Sequence, residues 1–505
     1  MKMKKIKPTT VLLIVCLILL VLLACSSDEV SPTNTEAGNI ENTASTQVDE
    51  SSQFIADDLP EGLDLSGKEV KIFIGNYNNA YIEDMYSPEA TGNRLSDAVY
   101  YVVKNVEDRL NVRLKYDYTT YTWDEMTAFQ NKIISGILAG DNSFDILFDV
   151  MNYSSYMIDN AYFINLTETK YIDLSKPWYN HTVLGNMPDG NIYFLSGQFS
   201  LANIKNVFAV YFNDNLYKSL GKNEDLYNIV DSGKWTLDKL EEMIKDVYAD
   251  VNGNGEPDSG DRFGLTFGDE NKYLGFIKSL GMDIFIKKGN SYEFAYDNER
   301  ALEVIARLCP FINANINVLS VLKHGGNNNT DFAVSSGGGN FTNKSFIEGN
   351  SLFTFSLVAD AAAIVPAIDF NHGLLPYPKW NETQESYYNM LQRNCFVLMP
   401  VTVTDPDAAS AVLEAISSES YRTLVPEYCE ITLKTRYSYD DDVSRMFDLI
   451  INSIVYDPGE IFANLLSTPS AIIKEAIREN NPNWASKMAS IKNGLISKMD
   501  TVTKK

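Results

Sequence analysis

Short apolar runs alternate with longer stretches of helical spacing through the body of the chain. The first run, Glu69-Val70-Lys71-Ile72-Phe73-Ile74-Gly75, is rich in β-branched and aromatic residues and stops at a glycine, which predicts a buried strand. Leu95, Ala98/Val99, Val102, Val106 and Leu110 then recur at three- and four-residue steps and predict a helix closed by Asn111. Val112, Leu114, Tyr116 and Tyr118 alternate as a second strand. Trp123 to Leu138 reads as a second helix that stops at Gly140, and Ile146-Leu147-Phe148 as a third strand. The order strand-helix-strand-helix-strand predicts an α/β sheet with parallel pairing and covered faces. Ligands of such sheets sit beyond the carboxyl ends of the strands. That rule selects Asn76-Tyr77-Asn78 after the first strand and Asp149, Asn152 and Tyr153 after the third.

Further along, Val207-Phe208-Ala209-Val210-Tyr211-Phe212-Asn213 and Asn394-Cys395-Phe396-Val397-Leu398-Met399-Pro400 are two more buried strands. The stretch between them mixes helices and strands to about Val358, and the tail from about Asp442 is mainly helical. Gly325-Gly326-Asn327-Asn328-Asn329 and Gly337-Gly338-Gly339-Asn340 read as surface loops. The second lacks the Gly-Lys-Ser/Thr of a phosphate loop. No internal repeat is visible.

The N-terminus follows a different pattern. Four lysines (Lys2, Lys4, Lys5, Lys7) precede an apolar run from Val11 to Leu23, too short to span a bilayer comfortably and suited to a secretory signal. Leu22-Leu23-Ala24-Cys25 resembles the bacterial lipobox, which implies cleavage before Cys25 and acylation of its thiol. Two acyl chains there would suffice for stable anchoring. Residues 1–24 are thus expected to be a signal peptide, and 25–65, rich in Ser, Thr, Asn and acidic residues, a flexible tether.

Charge narrows the partners. The 505-residue chain carries −25, and loss of the four signal lysines takes the mature protein to −29. Such a field repels phosphate backbones, so nucleic acid is excluded as a natural partner. Of the 29 Tyr, 25 Phe and 5 Trp many must be core, but such a supply also suits stacking against sugar rings. Beyond the signal, Cys309, Cys395 and Cys429 are odd in number and have no C-x-x-C spacing. They read as small buried thiols rather than a disulfide or metal framework.

Three stretches, taken in order, resemble the family 1 extracellular solute-binding proteins of ABC importers, the maltose-binding-protein class. They are Phe148 to Leu166 with Asn160-Ala161-Tyr162-Phe163-Ile164-Asn165-Leu166, then Tyr211-Phe212-Asn213-Asp214-Asn215-Leu216-Tyr217 through Gly221 to Trp235-Thr236-Leu237-Asp238-Lys239-Leu240, and Asp369 to Lys379 with Gly373-Leu374-Leu375-Pro376-Tyr377-Pro378. The second departs from the family in its Trp-Thr order and in Asp238 where Glu is usual. The resemblance implies an α/β, two-lobed periplasmic-binding-protein-like (type II) fold with a hinge and an interlobe cleft. Lobe 1 would take 66–205 plus 397–441, and lobe 2 would take 206–396 plus 442–505, with crossings near 203–210 and 393–400. It also implies a monomeric, non-enzymatic receptor on the extracellular face of a bacterial membrane. Such a receptor would pass a small solute, most naturally a sugar or oligosaccharide, to ABC permease subunits.

One loop has its own chemistry. Asp250, Asn252, Asn254, Gly255, Asp258 and Asp261 fall at positions 1, 3, 5, 6, 9 and 12 of a calcium loop, with the Glu256 carbonyl at position 7. Aspartate replaces the usual bidentate glutamate at the last position, which is closer to dockerin-type loops and suits a structural Ca²⁺. The alternative is an acidic, hydrogen-bonded surface turn.

Sugar recognition needs aromatic faces for C–H groups and planar polar groups for hydroxyls. Tyr77, Trp178, Tyr211 and Phe355 are the aromatic candidates; Asn76, Asp149 and Gln198 are the polar ones. Arg94 is better read as a helix-terminal ion pair. His181, His324 and His372 show no metal or catalytic spacing, and no G-x-S-x-G is present. A glycosidase needs only two suitably spaced carboxylates, so a secreted carbohydrate-active enzyme stays open, as does a sensor or adhesin of the same fold.

Overall fold

The computed structural model describes residues 55–150, 161–187, 190–320, 332–337, 340–433 and 440–502. Cys25 and the signal, Asn152, Tyr153, Asn160, His324 and the Gly325–Asn329 loop lie outside the described residues. The strands are β1 (Lys68–Tyr77), β2 (Val112–Tyr121), β3 (Ile146–Val150), β4 (Phe208–Asn213), β5 (Phe263–Phe267), β6 (Phe285–Lys288) and β7 (Ser291–Phe294). They continue as β8 (Val318–Leu319), β9 (Ala333–Gly337), β10 (Asn340–Asn343), β11 (Ser351–Leu357), β12 (His372–Leu375) and β13 (Cys395–Leu398).

The first sheet has the order β13-β3-β1-β2. β1 pairs in parallel with β2 from Lys68↔Val112 to Tyr77↔Tyr121, and with β3 from Ile72↔Ile146. Helices Arg94–Leu110 and Met126–Leu138 supply the crossovers, the second starting three residues later than the sequence pattern suggests. The Asn93 side chain accepts the orphan N–H groups of Leu95 and Ser96 at the start of the first helix. Asn111, left-handed at φ 46°, ends it. Arg94 at that end pairs with Glu427 at 2.7 Å, the ion pair its position suggested.

A second sheet, ordered β12-β4-β11-β5-β8, carries the other lobe. β5 runs parallel to β11 and β8, whereas β4 is antiparallel to β11 and β12. Two of the signature stretches meet here. Trp235 is buried with its indole N–H donating to the Pro376 carbonyl at 2.8 Å, and Leu237 N–H donates to the Lys379 carbonyl. Thr236 caps helix Leu237–Ile244 through its hydroxyl, so the Trp-Thr order places the indole inward and the cap at the helix start.

The chain crosses between the sheets twice within the described residues, and the crossings are bonded to each other. Asn203 donates through Nδ2 to the Gly197 and Cys395 carbonyls at 2.8 Å each, and its Oδ1 accepts the Cys395 N–H at 2.7 Å. Val207 bridges Leu391, and Gln392 N–H donates to the Asn206 carbonyl. Cys309, Cys395 and Cys429 are free and buried, and burial pushes the Cys309 thiol up to about 11.

The tether expectation needs correction at its far end. Leu59 and Leu65 are buried, Leu65 N–H donates to the Leu110 carbonyl, and Asp57 receives both outer nitrogens of Arg109 at 2.7 and 2.5 Å. Residues 55–65 therefore pack on the first lobe: two leucines and one fork-type ion pair outweigh the polar composition around them. No helix among the described residues is long and apolar enough to cross a membrane.

Candidate functional site

At the carboxyl end of β1, Asn76 is fully buried and its amide is saturated. It donates to Asn79 Oδ1 (2.9 Å) and Thr120 Oγ1 (3.0 Å) and accepts from the Tyr81 and Ile82 N–H groups. Those bonds hold a turn in which Asn78 and Asn79 are left-handed. Asn76 builds the rim rather than offering itself to a solute. Tyr77 packs tilted against Tyr121 with ring centroids 5.5 Å apart, and the Arg393 guanidinium sits 5.7 Å from its ring centre. At the end of β3, Asp149 is buried and accepts the Tyr121 hydroxyl at 2.6 Å. Gly75 makes room for it, because a Cβ there would lie 2.2 Å from Asp149 Oδ1.

The opposing lobe places a buried ionic cluster at equivalent strand ends. Asp269 follows β5 and Asp360 follows β11, and Lys272 Nζ lies 3.1 Å from the first carboxylate and 3.6 Å from the second. All three side chains have no exposed surface. Gln392, on the return crossing, offers Oε1 to the same ammonium at 3.5 Å. Asp269 accepts the Asn271 N–H and Asp360 the Leu357 N–H, so each carboxylate is also oriented by backbone. The sequence reading missed this cluster. The strand-end rule, applied to Phe263–Phe267 as it was to Ile146–Phe148, selects Asp269 directly.

Two aromatic candidates sit elsewhere. Tyr211 lies in β4 with its hydroxyl donating to the Leu357 and Val358 carbonyls at 3.1 Å each. Phe355 in β11 is enclosed by Phe267, Phe276 and Tyr377. Both are core residues of the second sheet. An all-buried strand shows no alternation, so sequence alone does not separate inward from cleft-facing positions.

Trp178 and Gln198 come together, at the outer edge of the crossings. Leu195 bridges Val397, which puts residues 195–198 beside β13 on the side away from β3. A cavity of about 190 Å³ opens there, with walls from Trp178, Thr182 and Gln198 of one lobe and Ile451, Asn452 and Tyr456 of the other. Trp178 is on a loop, as expected, but fully buried.

Behind that wall Tyr179 donates its hydroxyl to Glu414 Oε2 at 2.8 Å, while Glu414 Oε1 has no partner. Burial pushes the Glu414 carboxyl up to about 7, against the hydrogen bond from Tyr179 that pulls it down. A carboxyl raised in the folded state favours folding when protonated. Its stabilising contribution is complete below the unfolded value near 4.5 and is lost as pH rises through 7. Glu414→Gln is therefore expected to gain up to about 3 kcal/mol over wild type at pH 8 and nothing at pH 4. Urea unfolding at the two pH values measures this; equal differences at both would contradict it. Asp57 acts oppositely: burial would raise it, but hydrogen bonds from Arg109 and Ser418 outweigh that and bring it down to about 2. Its contribution is lost only in acid, below about 4.

The Asp250–Asp261 loop is bonded to itself. Asp250 accepts the Gly253 and Gly255 N–H groups. The amides of Asn252 and Asn254 donate to Asp258 at 2.9 and 2.6 Å, and buried Asp261 accepts from Val251 N–H, Asp258 N–H and the Tyr248 hydroxyl. No group of three His, Cys, Asp or Glu arranged to hold a metal is present among the described residues. The two amides direct N–H groups, not oxygens, at the Asp258 carboxylate. A cation would require both to rotate and present Oδ1.

No family model matches the chain, and no curated protein is detectably similar in sequence. Solved structures are similar in fold. The GacH receptor of Streptomyces glaucescens GLA.O, solved unliganded and with acarbose and an acarbose homolog, superposes at TM-score 0.55 with 13% identity, covering 85% of this chain and 99% of that one. The sugar-binding protein MalE of Xanthomonas citri gives 0.55 and 12%, covering 86% and 97%. The cyclic alpha-maltosyl-1,6-maltose binding protein of Arthrobacter globiformis gives 0.54 and 13%, covering 86% and 99%. The fold is the two-lobed, maltose-binding-protein-like one. The Asn203–Cys395 and Val207–Leu391 crossings join the two sheets, with Asp149 and Tyr77 at strand ends of the first and Asp269 and Lys272 just beyond a strand end of the second.

Proposed function

We propose that the protein is a carbohydrate-binding receptor that closes its lobes on a sugar or oligosaccharide and hands it to ABC permease subunits. The observation that carries this reading is the maltose-binding-protein-like architecture over some 85% of the chain, shared with proteins named for maltose, maltodextrin and acarbose. Cys25, acylated after signal cleavage, would hold it on the extracellular face of the membrane. Ligand contacting both lobes favours the closed state, and a permease can read that state. Isothermal titration of the mature chain with maltose, maltotetraose and acarbose tests it. Saturable binding without product is expected, and a ligand at about 100 times its Kd should add roughly 2.7 kcal/mol of stability. Release of shorter sugars would instead favour the glycosidase reading. Tight binding without a permease that accepts the loaded receptor would favour the sensor. Cys25→Ala should move the protein from the membrane to the soluble fraction.

Calcium belongs to the same proposal, as a structural ion on Asp250, Asn252, Asn254, the Glu256 carbonyl, Asp258 and Asp261. What supports it is the loop spacing. Millimolar Ca²⁺ is expected to raise the melting temperature over EDTA-treated protein, and Asp250→Ala to abolish the difference. Identical melting curves would leave the loop as the self-bonded turn described above.

A further inference from the structure

The cavity at the outer edge of the crossings is built rather than incidental. Its walls belong to different lobes, and Tyr456 pins them together. Tyr456 N–H donates to Thr182 Oγ1 (3.0 Å), its carbonyl accepts from Asn186 Nδ2 (2.6 Å), and its hydroxyl lies 2.6 Å from Ser196 Oγ. Tyr292, from the second lobe, adds a bond to the Asn186 carbonyl at 2.7 Å. The crossing residues Asn203, Ile204 and Leu391 close the floor.

The lining chemistry is selective. Among the described residues that line it there is no Asp, Glu, Lys or Arg, although the chain as a whole is strongly acidic. Leu391, Ile451 and Ile454 give a little apolar surface, with Trp178 and Ile204 packed behind them. Gln198 is half-buried and makes no side-chain hydrogen bond to the described protein, and His181 and Asn452 stand exposed at the mouth. The Trp178 indole N–H, fully buried, has no acceptor in hydrogen-bonding geometry. It lies in the neighbourhood of the Tyr179 hydroxyl, whose proton is committed to Glu414. The indole N–H thus faces the interior behind the cavity wall, where it shapes the wall without meeting a ligand.

We propose that this outer cavity is a second ligand site, separate from the strand-end cleft, for a small neutral polyhydroxy compound of about one sugar ring. C–H faces would rest on Leu391, Ile451 and Ile454, and hydroxyls would take up Gln198, Asn452 and His181. Full charges are disfavoured, because no counter-charge lines the wall. The proposal does not depend on the strand-end cleft binding sugar.

The test uses ligand-detected NMR and titration on the mature chain with glycerol, myo-inositol and glucose. Gluconate and glucosamine serve as charged counterparts. Neutral probes should bind weakly and saturably, and charged ones about tenfold more weakly or not at all. Asn452→Trp, an exposed substitution that fills the mouth, should abolish this binding. Gln198→Ala, which removes a half-buried polar group from the cavity wall, should weaken it several-fold. Urea unfolding of both variants checks that they remain folded. Binding of the neutral probes that is unchanged in both folded variants, equal binding of charged probes, or no neutral binding to wild type overturns the proposal. If maltotetraose fails to bind while inositol binding depends on Asn452, the receptor reading falls and this site stands.

Discussion

Lys272→Met is expected to destabilise the protein by about 3–5 kcal/mol, because it removes the ammonium that lies 3.1 and 3.6 Å from two buried carboxylates. Asp269 and Asp360 have no exposed surface, and their backbone donors orient the charge without neutralising it. Methionine matches the lysine stem in shape, so packing loss contributes little to the effect. Equilibrium urea unfolding at neutral pH provides the number. A loss under about 1 kcal/mol would mean that the cluster is better solvated than its burial indicates. Because the cluster also touches Gln392 on the return crossing, the same substitution is expected to weaken any cleft ligand through a loosened second lobe.

Asn203→Ala is the second large effect, expected at about 2–4 kcal/mol from three orphaned backbone partners. The Gly197 and Cys395 carbonyls lose their donor and the Cys395 N–H loses its acceptor, all in a buried setting. Asn203→Asp separates the contributions. It keeps the acceptor for Cys395 but cannot donate, and it adds a buried charge, so it should be at least as damaging as alanine. If aspartate were instead close to wild type, the two donated bonds would be unimportant. The measurement is again urea unfolding, with the slope compared between variants to confirm that the unfolding event is unchanged.

The first lobe was legible because its strands and helices alternate locally. β1, the 94–110 helix and β2 follow one another with their stop residues in place, and parallel pairing follows from that order. The second sheet was harder. β4 and β11 are buried on both faces, so Tyr211 and Phe355 looked like equally good cleft candidates and proved to be core. The ion cluster was legible only at Asp269, for a different reason. Asp269 and Lys272 share one helix start, but Asp360 comes from a segment far along the chain, and Lys272 in isolation resembles any helix lysine. Composition misled at residues 55–65, where two leucines and Asp57 decide docking against a polar background. Trp178 and Gln198 were chosen as solute contacts on loop position and chemistry, and they share one wall, but at the outer edge of the crossings rather than at the strand ends.

The β13 edge has a bearing on how the molecule assembles. Its partner β3 ends at Val150 and β13 begins at Cys395, so the four-stranded sheet waits for everything between them. A chain emerging from its N-terminus can form β1, β2 and β3 early, yet their open edge stays unpaired until the intervening lobe has been delivered. Contacts of such long sequence separation slow the final step. During that interval the bare β3 edge is a place where two unfinished copies could join, which makes dilution a simple aid to refolding.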